Sequence, residues 1–393
     1  MQTKEDTSRI LYVSHRYHTN QVPVMKGWHE QGVKVMFMAG YQGEIESHEY
    51  VEYYQMKLSI VSKIIYFFLD IFCKSVRIEN KKMTWFIPDF YDTFKQIRFF
   101  KPHLVVLRGY RFDNVIISII CKILGIKHVV NYTQAPLNSP SPKNKLYLSL
   151  IGPMTPHVTF TPVLYKGKER KCKPTNNIWH APHYFVPLVC VKPTTERTEY
   201  CVGDKIRILD IGKYREYKNH FFIVDALSRV EHPERFEVTI IGQLSNKYEK
   251  DYYQRLQKYI QDKRLEKMVH LRGHVDFKEI SKVYANNDVL LLASSEPASI
   301  SVLESMSKGL CVIASVENGT TCYLDEYQCG ITFSNGKIDS LINALNEIDG
   351  NSTTISDLGQ KAQRIAKEEF CFDRYKEALN NLLQTEFNYS IQV

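Results

Sequence analysis

The chain has 393 residues, of which 44% are hydrophobic and 24% are charged, and its formal net charge is +8. This composition excludes disordered and collagen-like chains, and the length allows two domains of ordinary size. The basic residues are spread along the sequence, so nucleic acid, phosphorylated ligands and anionic membrane surfaces all remain open as partners at this point.

The cysteines and the N-terminus bear on the compartment. The chain has nine cysteines without paired spacing, mostly inside apolar runs such as those around Cys121 and Cys311, which is typical of reduced cytosolic thiols. The sequence has no Cys-x-x-Cys pair and no Cys/His cluster that would indicate a metal site. Residues 1–9 lack the apolar run of a secretory signal. We therefore expect a cytoplasmic protein.

The first half alternates short apolar runs with helical spacing, which predicts a doubly wound parallel sheet of an α/β domain. Predicted strands lie at residues 9–14, 32–38, 101–107 and 125–131, and predicted helices at 21–31, 94–100 and 114–124. Two polar segments, Ser14–Asn20 and Arg108–Tyr110, follow strand ends. Open α/β sheets bind ligands at that edge, so His15 and Arg108 are candidate ligand contacts.

The most lipophilic stretch of the sequence is residues 58–77. Lys63, Asp70 and Lys74 interrupt it too often for a transmembrane helix. Two interpretations remain open. We favour a buried helix of the first domain, and the alternative is an amphipathic helix that lies on an anionic membrane surface.

The domain boundary is predicted near the middle of the chain. Residues 178–187 read as a strand that leads into an interdomain crossing, and residues 191–203 form a polar linker. We predict a first domain at residues 1–190, a second at 204–370, and a helix at 371–393 that crosses back to the first domain. Second-half strands are predicted at 206–211, 236–241, 269–273, 288–293 and 311–315, and helices at 220–230, 247–262 and 280–285.

Residues 291–309 read as a strand, a turn and the start of a helix, and they carry the carboxylates of Glu296 and Glu304. On one continuous helix, eight residues at about 100° each put these side chains about 80° apart, so both could face one cleft. An acid near a helix N-terminus is equally a routine stabiliser of the helix dipole. Lys213 and Lys218 follow the predicted strand end at Gly212, and two ammonium groups there suit a diphosphate.

At these positions the chain resembles a known family, the family 4 retaining glycosyltransferases of the GT-B fold, in which two Rossmann-like domains face each other across a cleft. The resemblance covers about residues 205–335, and the first half only in general layout. The segments that carry it, in order, are Gly212–Asn219, Ile240–Gly242, Leu271–Gly273, Ser294–Pro297, Leu303–Gly309, Val312–Ser315 and Asn318–Gly319.

The resemblance implies transfer of a hexose-type sugar from a nucleotide diphosphate sugar to a glycan or lipid-linked acceptor, as in bacterial surface polysaccharide assembly. It implies no metal, no cofactor and no nucleic acid. By the family pattern Lys213 and Lys218 would hold the donor diphosphate, Glu296 would lie near the transferred sugar, and Glu304 would bind the ribose hydroxyls. Further donor contacts are expected at Gly212, Gly242, Arg272, Gly273, Ser299, Ile300, Ser301 and Val302.

The chain departs from the family pattern in its first half. The family often has a glycine-rich loop after the first strand, where this chain has Ser14–His18, and often a histidine where Tyr132–Gln134 stands. His15 and Arg108 are therefore our candidates on the acceptor side. The alternatives are an epimerase or phosphorylase of the same fold, or a catalytically silent nucleotide-sugar-binding partner. Contact of the enzyme with the inner face of the plasma membrane is a further expectation.

Overall fold

The computed structural model describes residues 7–18, 21–42, 48–72, 85–109, 111–131, 158–163, 183–190, 196–296 and 298–392. The chain divides into two compact units. The first comprises residues 1–162, 174–189 and 375–393, and the second comprises residues 163–173 and 190–374. Each unit is built on its own parallel sheet, as predicted from the alternation of strands and helices.

The first unit has a seven-stranded sheet in the order β3-β2-β1-β4-β5-β6-β7. Its strands are β1 (Arg9–Ser14), β2 (Lys34–Ala39), β3 (Glu52–Gln55), β4 (Leu104–Arg108), β5 (Lys127–Asn131), β6 (Thr159–Thr161) and β7 (His183–Phe185). Its first four helices are α1 (Val22–Glu30), α2 (Ile60–Phe72), α3 (Phe90–Phe100) and α4 (Phe112–Leu124). The strands β3 and β6 were not predicted, because the first is a polar edge strand and the second has only three residues.

The second unit has a six-stranded sheet in the order β10-β9-β8-β11-β12-β13. Its strands are β8 (Ile206–Ile211), β9 (Phe236–Ile241), β10 (Val269–Arg272), β11 (Val289–Leu292), β12 (Cys311–Ser315) and β13 (Ile331–Phe333). Its helices are α5 (His220–Leu227), α6 (Lys247–Asp262), α7 (Phe277–Ala285), α8 (Ile300–Ser307), α9 (Thr321–Tyr327), α10 (Ile338–Ile348) and α11 (Ser352–Glu369). The last helix, α12 (Phe372–Phe387), enters the first unit at Tyr375.

The order of the strands creates one switch point in each sheet. In the second unit the chain builds outward from β8 through β9 to β10, and then crosses to the other side of β8 to form β11. In the first unit the same reversal places β1 beside β4. Loops that leave two such neighbouring strands diverge to opposite faces, so a crevice opens between them at the carboxyl edge.

The apolar stretch at 58–77 does not form a buried helix, and that interpretation is wrong for the residues described. Ser62 is the only buried residue of α2. Ile60, Phe67 and Phe72 are 72%, 62% and 74% exposed. Residues 73–77 lie outside the described part. No helix among the described residues is long and apolar enough to cross a membrane.

Residues 196–203, predicted as a polar linker, are tied to the second unit by Asp288, which precedes β11 and is fully buried. One carboxylate oxygen accepts from Arg197 Nη2 at 3.0 Å and from the Cys201 backbone N–H at 2.9 Å. The other accepts from Arg207, through its backbone N–H at 3.1 Å and Nε at 3.0 Å. Two guanidinium groups thus depend on one buried carboxylate.

We expect Asp288→Ala to lower the free energy of unfolding of the second unit by about 3–5 kcal/mol, because the substitution leaves two partly buried guanidinium groups without their counter-ion. Urea denaturation measures the change. The control is Glu279→Ala, which removes an exposed pair with Lys282 and should cost less than about 0.5 kcal/mol. Similar losses in the two variants would show that the Asp288 cluster does not hold the linker.

Candidate functional site

Three strands of the second unit end in glycine at the carboxyl edge of the sheet. Gly212 follows β8, Gly242 follows β9 and Gly273 follows β10. The Gly212 N–H donates to the Ile241 carbonyl at 2.9 Å, and the Gly242 N–H donates to the Arg272 carbonyl at 3.2 Å. The strand ends are therefore joined by backbone hydrogen bonds and expose backbone rather than side chains.

Tyr214 packs beneath these strand ends and is fully buried. Its hydroxyl lies 2.9 Å from the Ile240 carbonyl and 2.8 Å from the Arg272 carbonyl. A Cβ atom on Gly242 would lie 2.9 Å from the Tyr214 ring and 2.2 Å from the carbonyl oxygen of Gly212. Only glycine fits at 242 while the two loops approach this closely.

Lys218 lies over Gly212 and reaches a carboxylate. A Cβ atom on Gly212 would lie 2.5 Å from Lys218 Cε and 2.6 Å from Lys218 Nζ. The one-turn 3₁₀ helix Glu216–Lys218 ends at Asn219, whose φ of 60° is one that asparagine tolerates, and α5 begins at the next residue. The Lys218 side chain is only 5% exposed, and its Nζ lies 2.8 Å from Glu296 Oε1.

Glu296 is held in the loop after β11 by buried polar residues. Its backbone carbonyl accepts from the Gly319 N–H at 2.9 Å, and Ser294 Oγ lies 3.4 Å from its Oε2. Ser294 in turn accepts from Asn318 Nδ2 at 3.0 Å, and both Ser294 and Asn318 are fully buried. Glu296 was predicted from the sequence as a site residue, but the role of Asn318 in holding Ser294 beside it was not predicted.

The structure has the predicted strand, turn and helix start, with α8 beginning at Ile300, so Glu296 lies before the helix and the 80° separation on one continuous helix does not apply. Glu304 lies within this helix, and its Oε2 accepts a hydrogen bond from the Tyr284 hydroxyl of α7 at 2.7 Å. Burial raises the pKa of Glu304, and the hydrogen bond from Tyr284 opposes that shift. The two acids are thus held by different elements.

The N-terminus of α8 has no side-chain cap. Ser299 occupies the N-cap position, but its Oγ lies 2.7 Å from Ser301 Oγ and bonds no amide of the first turn. The Ser299 N–H donates to Thr320 Oγ1 at 2.5 Å. Val302 is fully buried, so it offers only its backbone to a ligand, and Ile300 is partly exposed. An end without a side-chain cap suits an anion.

The other predicted donor contacts lie at the edge of this group. Lys213 and Arg272 are exposed, and Gly273 is partly exposed. A Cβ atom on Gly273 would meet no atom within 4 Å, so a ligand can approach the backbone there.

A buried acid and a buried histidine lie close to Lys218, and sequence reasoning missed both. Asp210 Oδ1 lies 3.8 Å from His220 Nε2, and none of their side-chain oxygens and nitrogens has a hydrogen-bond partner among the described residues. Burial raises the pKa of Asp210 to about 7, with Lys218 opposing and Glu296 reinforcing the shift. Burial, reinforced by Lys218, lowers the pKa of His220 to about 3. An acid between the apolar residues Leu209 and Ile211 of β8 was the available signal.

In the first unit, His15 follows β1 and Arg108 ends β4, so both lie at the switch point of that sheet. His15 is 6% exposed, and its Nδ1 lies 2.6 Å from Arg111 Nη2. Arg111 Nε in turn lies 3.2 Å from Asp113 Oδ1. Burial lowers the pKa of His15 to about 3, and the Arg111 charge adds to the shift.

Arg108 is held through its backbone, since its carbonyl accepts from Asn114 Nδ2 at 3.0 Å. Its Nη1 is buried without a hydrogen-bond partner among the described residues. Burial lowers the pKa of Arg108. Among the described residues, no group of three His, Cys, Asp or Glu side chains is placed to hold a metal ion.

Residues 194–365 match the model of the family "glycosyl transferases group 1". A comparison of the chain with curated proteins gave no match. This match confirms, for residues 194–365, the resemblance to glycosyltransferases predicted from the sequence, at the level of the group 1 family.

Solved glycosyltransferases align with nearly the full length of the chain. A glycosyltransferase from Rickettsia africae aligns over 98% of this chain and 100% of its own, with 14% identity and a TM-score of 0.69. Anabaena HepE in complex with UDP and glucose aligns over 96% of this chain and 100% of its own, with 14% identity and a TM-score of 0.70. WaaG, a glycosyltransferase involved in lipopolysaccharide biosynthesis, aligns over 95% of this chain and 99% of its own, with 13% identity and a TM-score of 0.63. The chain has the GT-B fold.

The Asp210–His220 pair predicts two opposite pH dependences of stability. Asp210 has a folded-state pKa above its usual 3.8, so its contribution to stability is lost as pH rises towards about 7. His220 has a folded-state pKa below its usual 6.5, so its contribution rises from about pH 3 to 6.5. Relative to the unsubstituted protein, Asp210→Asn should therefore gain stability as pH rises, and His220→Gln should lose it.

Urea denaturation at about pH 4.5 and about pH 7 measures these differences. The control is Asp251→Asn on the exposed face of α6, which should parallel the unsubstituted protein at both pH values. If both variants gained stability, or both lost it, relative to the unsubstituted protein as pH rises, the opposite pKa shifts assigned to Asp210 and His220 would be contradicted.

Proposed function

We propose that the protein is a retaining glycosyltransferase that moves a hexose-type unit from a nucleotide diphosphate sugar to a glycan or lipid-linked acceptor, in bacterial surface polysaccharide biosynthesis. The observation that carries the proposal is the Lys218–Glu296 pair at the switch point of the second unit, 2.8 Å apart over the bare backbone of Gly212. The group 1 match over residues 194–365 supports the reaction class.

The donor diphosphate would bind where Lys218, Lys213 and the start of α8 supply positive charge. Lys218 is balanced by Glu296 alone among the ion pairs described for it, so an incoming diphosphate competes with that carboxylate for the ammonium group. The α8 end lacks a side-chain cap and offers backbone N–H groups to the same anion. The ammonium group thereby comes to face the leaving group, and Glu296 is released towards the sugar.

The nucleoside would extend along the glycine-ended strands. Gly273, where a Cβ atom would meet no atom within 4 Å, allows close approach of a planar base, with Arg272 at its edge. Glu304 would accept hydrogen bonds from the ribose hydroxyls, and the Tyr284 hydroxyl fixes the orientation of its carboxylate. The solved relative HepE carries UDP-glucose in one of its structures, which makes UDP-sugars the first donors to test here.

In the transfer, the bond between the sugar C1 and the diphosphate oxygen breaks, and the electron pair leaves with the diphosphate. Lys218 and Lys213 offset the charge that develops on this leaving group, so the proposal includes no metal and no other cofactor. Glu296 stabilises the positive charge on the sugar. The acceptor hydroxyl attacks the face that the diphosphate leaves: its oxygen forms the new bond to C1 and its proton passes to the departing diphosphate oxygen, so the anomeric configuration is retained. His15 and Arg108 are the acceptor-side residues of the proposal.

We expect Glu296→Gln and Lys218→Ala each to lower kcat for sugar transfer by at least about 100-fold, because each removes charge that acts in the transition state. A panel of nucleotide sugars and glycan acceptors, with release of nucleoside diphosphate as the readout, measures the effect. The matched controls are Glu347→Gln and Lys267→Ala, which are exposed residues of the same unit and should retain full activity.

Unchanged transfer in the Glu296 and Lys218 variants would refute the site. Two alternatives give different outcomes in the same panel. An epimerase or phosphorylase of this fold would convert the donor without a glycan acceptor. A catalytically silent partner would bind nucleotide diphosphate sugars without releasing nucleoside diphosphate.

The stereochemistry of the product is a separate prediction. NMR of the new glycosidic linkage, compared with the donor, should show the same anomeric configuration, and transfer should persist after dialysis against EDTA. An inverted product would rule out the retaining mechanism while leaving transfer itself intact. Loss of transfer on chelation, restored by a divalent cation, would instead rule out leaving-group stabilisation by Lys218 and Lys213 alone.

A further inference from the structure

Helix α2 is attached to the first unit by its polar side. Ser62 is fully buried, and its Oγ donates to the Trp85 carbonyl at 2.9 Å and accepts from the Ile87 N–H at 2.8 Å. The Ser59 N–H donates to the Ile87 carbonyl at 3.0 Å, just before the helix begins. A serine thus occupies the position where an ordinary surface helix places an apolar residue.

The opposite side of α2 is apolar and exposed. Its exposed apolar residues are Ile60, Val61, Ile64, Phe67, Phe68, Ile71 and Phe72. At about 100° per residue they occupy one arc of about 140°, and Ser62 points away from its centre. The rings of Phe67 and Phe68 lie 5.9 Å apart and those of Phe68 and Phe72 lie 6.1 Å apart, so the surface is continuous. A contiguous apolar face of this kind marks an interaction surface.

The charge of the segment around α2 indicates the kind of partner that its apolar face binds. In the sequence, residues 57–84 contain six Lys or Arg and two Asp or Glu, a net charge of +4. Lys63 is exposed and lies beside the apolar arc, where its stem can follow the helix while its ammonium group reaches outward. Trp85, 43% exposed, adjoins Ser62, and tryptophan is favoured at a membrane interface.

Two other partners fit less well. A second copy of the chain would bring two segments of the same positive sign together, which opposes association through this face. Insertion across a bilayer is excluded for α2 by its length, since 13 residues span about 20 Å of the ~30 Å hydrocarbon core. A helix with one apolar face, in a sequence segment of net positive charge, suits the plane of the interface.

We propose that α2 docks the protein on an anionic lipid bilayer, with its apolar arc in the acyl boundary and Lys63 at the level of the lipid phosphates. The proposal does not depend on sugar transfer, so it stands or falls independently of the function proposed above. It also explains why the residues of an apolar helix are turned away from the unit that carries them.

Flotation of the full-length protein with vesicles tests the proposal. Vesicles of phosphatidylcholine with about 30% phosphatidylglycerol should bind the protein at low salt, and pure phosphatidylcholine vesicles should bind at least about 10-fold less. The double variant Ile64→Ser, Phe67→Ser should lose at least about 10-fold in binding. Lys63→Glu should weaken binding to the anionic vesicles only.

The matched control is the double variant Ile123→Ser, Val202→Ser, which removes two exposed apolar side chains elsewhere and should float like the unsubstituted protein. All substituted side chains are exposed, so circular dichroism and urea denaturation should show unchanged folding. Lack of binding to anionic vesicles, equal binding to neutral ones, or full binding by the α2 double variant would overturn the proposal. So would a dimer in sedimentation that only the α2 variant abolishes, since the face would then be a self-association surface.

Discussion

The missing side chain of Gly212 is the constraint on which the candidate site depends. Lys218 lies in the space that a Cβ atom of residue 212 would fill, and only there does its ammonium group meet Glu296. The close approach continues along the sheet edge, because the carbonyl of Gly212 occupies the space of a Cβ on Gly242. Tyr214 holds the strand ends together from below. A lysine is thereby nearly buried, and its charge is directed at one carboxylate.

The electrostatics around Lys218 follow from that burial. One ammonium group lies between two acids, Glu296 at 2.8 Å and the fully buried Asp210 whose pKa burial raises to about 7. If both acids were ionised, Lys218, Glu296 and Asp210 together would carry a net negative charge, which opposes the binding of a diphosphate. Below about pH 7 Asp210 keeps its proton and avoids this excess, and the neighbouring His220, with a pKa lowered to about 3, adds no charge of its own. The positive charge of Lys218 therefore stays available to a ligand.

Sequence patterns predicted the bounds of strands and helices better than they predicted which side chains are buried and which residues contact one another. The strands 206–211, 236–241 and 311–315 and the helix 247–262 were predicted to the residue, because mostly apolar short runs and one long polar helix are visible in the sequence itself. The burial of α2 was predicted wrongly, since composition does not reveal that Ser62 is the attached side. Asp210 and His220 were missed because their proximity arises from a strand, a turn and a helix together, and no local spacing encodes it.

The two switch points carry different chemistry, and the difference constrains the part that each can play. In the second unit the groups are charged, as a diphosphate requires. In the first unit His15 is neutral, with a pKa lowered to about 3, and an arginine N–H, which can only donate, lies 2.6 Å from its Nδ1. Nδ1 must therefore accept, so the ring proton is on Nε2, which has no partner among the described residues. His15 in this state carries its proton on a buried nitrogen and cannot take up the proton of a hydroxyl, so in the proposed transfer it does not act as the base of the acceptor.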